Sequence, residues 1–266
     1  CEECLSKGYK SCIKKRCVKG SLFASVVRVF SMKFHKMINV YKNVYAFITP
    51  SEFLKNKLAL NGFEEKRIHC IPTFTASKTT IGEQQIGSYG LYFGRVTEEK
   101  GVETVIKAYE KLPEYTVKIM GDDTTDEAKR LKKYVENHKM KNVEFLGFKS
   151  GEELENVIKG ARFTLIPSIW YDNLPNTALE SFQYSKPVIA SNIGSLPELV
   201  IDGENGYLFK PSNVEDLIKK IKMLDDDTLV KKMGQASRKR LESRFAPQTH
   251  YEELMKIFNE AVKSRK

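Results

Sequence analysis

From Tyr89 onward the chain alternates short apolar runs with longer amphipathic stretches, and that alternation limits the available folds more than any other feature. The runs lie at Tyr89–Phe93, Thr116–Met120, 143–146, 163–167, 187–191 and 207–209, with helical periods in most of the intervals. Strands joined through helices pair parallel, because a parallel connection needs a crossover of a dozen or more residues. The fold class is therefore α/β, with a Rossmann-like doubly wound parallel sheet over residues 88–244. Gly94, Gly121, Gly147 and Ser168 follow four of the runs. In such sheets ligands bind beyond the carboxyl ends of the strands, so the chemistry is expected there.

The region before the sheet is shorter and more basic. Residues 44–48 and 68–71 read as strands, and Ser51 caps a helix that runs to Leu60 and ends at Gly62. The polar, aperiodic stretch 73–87 reads as a linker. The division is 1–75 as part of a first domain, 76–87 as linker, 88–244 as the sheet domain and 245–266 as a carboxyl-terminal helix. The chain opens on Cys1 and not Met, so the natural protein is expected to extend upstream. No apolar run approaches the roughly 18 residues of a membrane span, which leads to an expected cytoplasmic location.

Charge is unevenly spread. Of the net +10, residues 1–42 carry ten Lys and Arg against Glu2 and Glu3, which is +8. Such asymmetry suits an anionic partner, whether the lipid head groups of an anionic membrane surface, a phosphorylated acceptor or nucleic acid, or else a solvated face. Phe23, Val26, Phe30, Phe34 and Met37 recur at helical spacing in the same segment, and the commoner fate of such a face is burial in a core. No motif of a nucleic-acid reader is present, and nucleic acid is not expected as a partner. Cys1, Cys4, Cys12 and Cys17 cluster here as well. They read as reduced thiols or as a zinc site whose spacing fits no standard finger.

Two strand-to-helix turns carry the chemistry. Asp172 and Glu180 are separated by seven residues, with Pro175 placed to open a helix between them. The first N–H groups of that helix, with Asn173, Leu174, Asn176 and Thr177, would face an anion. Upstream, Arg95 and Lys100 follow the Tyr89–Phe93 run and Gly94. An Arg grips two oxygens and a Lys acts as a point charge, so the pair suits a diphosphate. The alternative is ordinary surface charge. Glu180 within a buried pattern suits ribose hydroxyls, or else a salt bridge to a neighbouring Lys. Asp122-Asp123 reads as a helix cap and not as a metal-binding pair.

Gly90 to Arg95 through Lys100-Gly101, then 143–147, Pro167-Ser168, Asp172 through Glu180, 187–191 and Gly194-Ser195-Leu196-Pro197-Glu198 to Gly206 together resemble the retaining glycosyltransferases of family four, the group 1 enzymes. The likeness spans about 88–244, and 1–72 resembles the last part of that family's first domain. It implies the GT-B architecture, with an acceptor domain, a sugar-nucleotide domain and a reaction in the cleft. It also implies a UDP- or GDP-sugar donor, a glycan or lipid-linked acceptor, no required cofactor or metal, and a location at the inner face of the membrane.

Carried over by position, Asp172, Arg95 and Lys100 form the catalytic set. Arg95 and Lys100 would take the diphosphate, Glu180 the ribose and Asp172 the donor sugar's hydroxyls. Gly94 and the backbone of Asn173, Leu174 and Thr177 would hold phosphate, and Phe145, Leu146 and Gly147 the base. The sequence departs from the family where Asp172 replaces a Glu and Asn173-Leu174-Pro175 replaces Gly-Phe-Gly. The reading is a retaining hexosyltransferase; the alternative is a sugar-nucleotide-binding fragment without catalysis.

Overall fold

The computed structural model describes residues 2–75 and 85–264, so Cys1 and most of the expected linker lie outside the described residues. The chain divides into two compact units. The smaller contains the chain up to Thr49, Leu54–Cys70 and the chain from Lys256; the larger contains Pro50–Phe53 and Ile71–Met255.

In the smaller unit lie α1 (Glu3–Lys7), α2 (Lys10–Lys14), α3 (Leu22–Met37), β1 (Phe47–Thr49), most of α4 (Glu52–Leu60) and β2 (Ile68–Cys70). β1 and β2 pair in parallel, Phe47 opposite Ile68 and Thr49 opposite Cys70. The strand expected at 44–48 begins later, because β2 offers three residues for pairing and Val40–Asn43 is wound into a 3₁₀ turn. Ser21 caps α3 by accepting the Ala24 N–H at 3.3 Å. The expectation of a core helix does not hold within this unit: α3 buries Ser25 and Val29, while Phe23, Phe30 and Met37 are more than two-thirds exposed. Among the described residues of this unit, α1, α2, α4, the end of α12 and the two-stranded sheet leave that face of the sixteen-residue helix uncovered.

The Cys17 N–H donates to the Cys12 carbonyl at 3.1 Å, and loss of solvent, followed by the nearby Cys17, pushes the Cys12 thiol up. Among the described residues no group of three His, Cys, Asp or Glu side chains is placed to hold a metal ion. No described helix is long and apolar enough to cross a membrane.

The larger unit follows the expected alternation: β3 (Tyr89–Phe93), α5 (Val102–Glu110), β4 (Thr116–Met120), α6 (Asp126–Asn137), β5 (Val143–Gly147), α7 (Gly151–Lys159), β6 (Ala161–Ile166), α8 (Asn176–Gln183), β7 (Val188–Ser191), α9 (Leu196–Leu199), β8 (Gly206–Phe209), α10 (Val214–Met223) and α11 (Asp227–Arg244). α12 (Pro247–Lys263) follows and is shared between the units. The six strands are all parallel in the order β5-β4-β3-β6-β7-β8. Of the acidic pair after β4, Asp122 serves a turn by accepting the Thr124 N–H at 2.9 Å and Asp123 pairs with Lys132; the cap of α6 is Thr125, whose hydroxyl accepts the Ala128 N–H at 3.1 Å.

Helices cover both faces because the strands are apolar on both. Val102, Val105, Ile106 and Tyr109 recur at three and four along α5, and this stripe packs with Leu131 of α6 and Leu217 and Ile221 of α10 over Tyr92, Ile119 and Leu165. On the opposite face Leu179 and Phe182 of α8 pack with Leu199 and Leu241 over Val188 and Ala190.

A buried cation fastens this arrangement at the amino end of β6. The Lys186 ammonium is 1 % exposed and donates to the carbonyls of Gln85 at 2.6 Å, Lys159 at 2.6 Å and Ala161 at 2.7 Å. Burial draws its titration down to about 8, while the three carbonyls hold the charged form. Lys186→Met removes all three donors at once and is expected to cost about 3 kcal/mol or more, since each abandoned carbonyl costs roughly 1–3 kcal/mol. Urea denaturation at neutral pH measures it.

Candidate functional site

The strand order reverses between β3 and β6. Their chains leave to α5 on one face and α8 on the other, and the gap between the two departing loops is the switch point where doubly wound sheets bind ligands. A cavity of about 250 Å³ lies there, lined from one side by Gly94, Arg95 and Lys100 and from the other by Asp172, Asn173, Thr177 and Glu180. The two loops are interlocked. Gly101 has φ +67°, and a Cβ on it would lie 2.1 Å from the Pro167 carbonyl oxygen, so only glycine lets the turns approach this closely. The Ile169 N–H then donates to the Glu99 carbonyl at 3.0 Å.

Asp172 is the centre of the polar network. Its Oδ1 accepts from Lys100 Nζ at 2.6 Å and from the Trp170 indole N–H at 3.0 Å, and its Oδ2 accepts from the Ser168 hydroxyl. The residue is 7 % exposed and Ser168 is 1 % exposed. Lys100 also lies 5.7 Å from the centre of the Trp170 ring. Arg95 is exposed at the rim, and its carbonyl accepts from the Tyr92 hydroxyl at 2.5 Å. Burial, and then the negative charge of Asp172, pushes the Tyr92 phenol well up.

The start of α8 is shaped by Leu174, which adopts φ +55°. Its N–H is not available to a ligand, contrary to the sequence reading, because it donates to Ser195 Oγ at 2.7 Å. That same hydroxyl donates to the Asp172 carbonyl at 2.7 Å, so one fully buried serine spans the left-handed turn. Asn176 and Thr177, in the first turn of α8, keep N–H groups that have no partner within the helix. Asn173 Oδ1 accepts from Ser51 Oγ at 2.9 Å, and Glu198 accepts the N–H groups of Glu52 at 2.8 Å and Phe53 at 2.6 Å.

Glu180 lines the cavity and is half-buried; burial raises its carboxyl above the ordinary range. Among the described residues it makes no ion pair with a lysine. Phe145, Leu146 and Gly147 end β5 at the sheet edge and do not line this cavity. Sequence reasoning missed the roles of Ser168, Trp170, Ser195 and Glu198. Ser168, Ser195 and Glu198 sit inside the motifs already singled out and Trp170 lies between two of them, but their hydrogen-bond partners follow from the folded loops and not from spacing.

Residues 80–240 match the family of glycosyl transferases group 1. An uncharacterised glycosyltransferase of Methanocaldococcus jannaschii is 30 % identical over 190 residues, 71 % of this chain and 52 % of that protein. The glycogen synthase of Mycobacterium tuberculosis is 31 % identical over 186 residues, 66 % of this chain and 42 % of that protein. Among solved structures, a glycosyltransferase from Rickettsia africae superposes with a TM-score of 0.76 at 21 % identity, over 85 % of this chain and 66 % of that one. Anabaena HepE, solved in complex with UDP and glucose, gives 0.72 at 19 % identity, over 81 % and 63 %.

The chain belongs to the glycosyl transferases group 1 family. Its fold is that of GT-B glycosyltransferases. It spans about half the length of the curated relatives it matches.

Ser195→Ala tests the turn. It leaves the Leu174 N–H unpaired and the Asp172 carbonyl with only the Ser195 N–H at 3.4 Å, and is expected to cost roughly 2 kcal/mol, within the range for a buried polar group left unpaired. Urea midpoints of the two proteins give the difference.

Proposed function

We propose that the larger unit is the donor-binding part of a glycosyltransferase that moves a hexose from a UDP- or GDP-sugar to a glycan or lipid-linked acceptor, with retention and without a metal. The observation that carries the proposal is the switch-point cavity itself, with two cations, Arg95 and Lys100, on one wall and a helix start and the half-buried Glu180 on the other. Support also comes from Anabaena HepE, solved with UDP and UDP-glucose, and from the capsular polysaccharide glycosyltransferase CapM of Staphylococcus aureus among the relatives.

The proposed roles follow from charge and position. Arg95, Lys100 and the N–H groups of Asn176 and Thr177 bind the diphosphate and stabilise the charge that grows on it as the sugar departs, the main electrostatic task of such a transfer. Glu180 accepts from the ribose hydroxyls. The departing phosphate helps to deprotonate the incoming hydroxyl. The basic amino-terminal segment attracts an anionic lipid surface, where a lipid-linked acceptor would be presented.

Calorimetric titration of UDP and GDP, with and without a chelator, tests the reading. Binding is expected in both conditions, and an absolute need for magnesium or manganese would sink the metal-independent mechanism. Arg95→Ala and Lys100→Ala are each expected to weaken binding by at least about 1.5 kcal/mol, the lower end for hydrogen bonds to charged groups. Unchanged affinity in both returns these residues to surface charge. Incubation with labelled sugar nucleotides and acceptors separates transfer from binding alone.

A pH series adds a second prediction. Because burial raises the Glu180 carboxyl, it takes up a proton at a higher pH than an ordinary carboxylate and then accepts poorly. Nucleotide affinity is expected to fall as pH drops through that raised titration, and the fall should be smaller in Glu180→Gln, where the titration of the nucleotide's own terminal phosphate remains.

A further inference from the structure

The switch-point cavity belongs to the larger unit. A second cavity lies wholly in the smaller unit and shares no residue with the first. It holds about 590 Å³, within the range of small-molecule sites. Its lining comes chiefly from α3, the 3₁₀ turn Val40–Asn43, the end of α4 and the loop before β2. The last three flank the amino ends of β1 and β2, whereas the ligands of parallel sheets gather beyond the carboxyl ends. We propose that this cavity binds an acidic saccharide, a sugar ring that carries a carboxylate or a phosphate.

Charge sets the sign of the ligand. Lys36, Lys42 and Arg67 line the cavity against one carboxylate, Glu64, which already pairs with Lys66 at 3.3 Å. Among the described residues none of the three cations pairs with a carboxylate. Arg67 is ordered in advance: its Nε donates to the Tyr45 carbonyl at 3.3 Å, and its Nη2 to the carbonyls of Tyr41 at 3.3 Å and Lys42 at 3.2 Å. A guanidinium has five N–H donors, so the two on Nη1 remain for a ligand. Its neutral partners leave the charge uncancelled. The Lys36 ammonium lies 4.0 Å from the point where a Cβ on Gly62 would stand, past the carboxyl end of α4, where the helix dipole favours a cation.

The walls set the shape. Four rings, of Tyr9, Tyr41, Phe47 and Phe63, line the cavity, and Met32 and Leu58 are the aliphatic side chains among them. The Phe47 and Phe63 rings meet at 83° with centres 4.9 Å apart, and Tyr41 stands at 50° to Phe63 at 5.3 Å. They form a corner and not a parallel slot. A slot suits a flat base and an aliphatic channel suits an acyl chain; a corner suits a puckered sugar ring, whose C–H groups meet the negative faces of both walls. The Asn61 amide donates to the Lys57 carbonyl at 2.9 Å, which leaves its oxygen as an acceptor for a hydroxyl.

For a chain that acts on a glycan, as proposed above, such a site is a second grip that raises the local concentration of the acceptor. The binding itself does not rest on the nucleotide reading.

NMR titration of the Phe and Tyr ring signals of the whole chain measures it. The probes are the galacturonic acid trisaccharide, the neutral galactose trisaccharide, glucose 6-phosphate and inorganic phosphate, with co-sedimentation on phosphatidylglycerol vesicles beside them. The acid trisaccharide is expected to bind at least about tenfold more tightly than the neutral one, the scale of one charge-assisted hydrogen bond. Lys36→Met and Lys42→Met alter exposed side chains and should fold; each should weaken the acidic sugars about tenfold. Tyr41→Leu should weaken acid and neutral trisaccharides alike, and saturating UDP should displace neither.

No shift with either acidic sugar overturns the proposal, whether or not the vesicles bind. So does neutral trisaccharide bound as tightly as the acid, or unchanged affinity in both lysine variants. Inorganic phosphate bound as tightly as glucose 6-phosphate marks simple attraction of anions and ends it too. Displacement by UDP puts the sugar in a nucleotide site, with the same result. A chain that takes the acidic sugars but neither UDP nor GDP refutes the donor reading alone.

Discussion

Two neighbouring parallel strands, β3 and β6, send their chains to opposite faces of one sheet, and the chemistry of the larger unit depends on how the gap between those chains is held open. Backbone contacts do this. Gly101 lies against the Pro167 carbonyl, the Ile169 N–H reaches the Glu99 carbonyl, and Gly194 at φ +63° lies against the backbone of Tyr171 and Asp172. With the loops fixed by main-chain packing, the side chains that face the cavity are free to be polar and charged. The apolar stripes of α5 and α8 secure the strands beneath them.

The site concentrates groups that are unfavourable taken singly. A carboxylate is nearly buried, a leucine sits in a left-handed conformation, and a serine lies fully out of water. Each is compensated by its surroundings: Asp172 by three donors, Leu174 by its place in the apolar cluster that includes Ala178 and Leu196 and by its bond to Ser195, and Ser195 by two bonds. Such mutual dependence gives a stiff wall for a ligand, because no member can move without leaving a buried polar group unpaired.

Much of this was legible in the sequence, for physical reasons that differ by element. The six strands announce themselves as short apolar runs, most of them apolar on both faces, and the loops because Gly94, Gly101 and Pro175 permit conformations that other residues resist. Arg95, Lys100, Thr177 and Glu180 were placed in one site because strand polarity alone brings their loops to one edge. The Lys100–Asp172 pair was not legible, since it joins positions 72 residues apart through side-chain rotamers. The bond between Leu174 and Ser195 was hidden by the left-handed turn, which the pattern Asn173-Leu174-Pro175 does not advertise. Phe145 to Gly147 fell outside the cavity because β5 is the outermost strand on its side. The exposure of α3 was hidden too, since an amphipathic pattern says which residues share a face and not what covers it.

Glu198 and the residues it binds have a consequence for how the chain is made. The N–H of Glu52 meets a carboxylate 146 positions later, so the start of α4 leaves the ribosome well before its acceptor exists. At synthesis rates of about 5–20 residues per second, the wait is on the order of ten seconds. Through that interval the segment Pro50–Phe53 has no sheet to join, because β6 and β7, which carry its docking surface, are among the later strands to be made. Contacts of such high sequence separation are slow to close. The four residues therefore join the larger unit only after β6, β7 and α9 have been made.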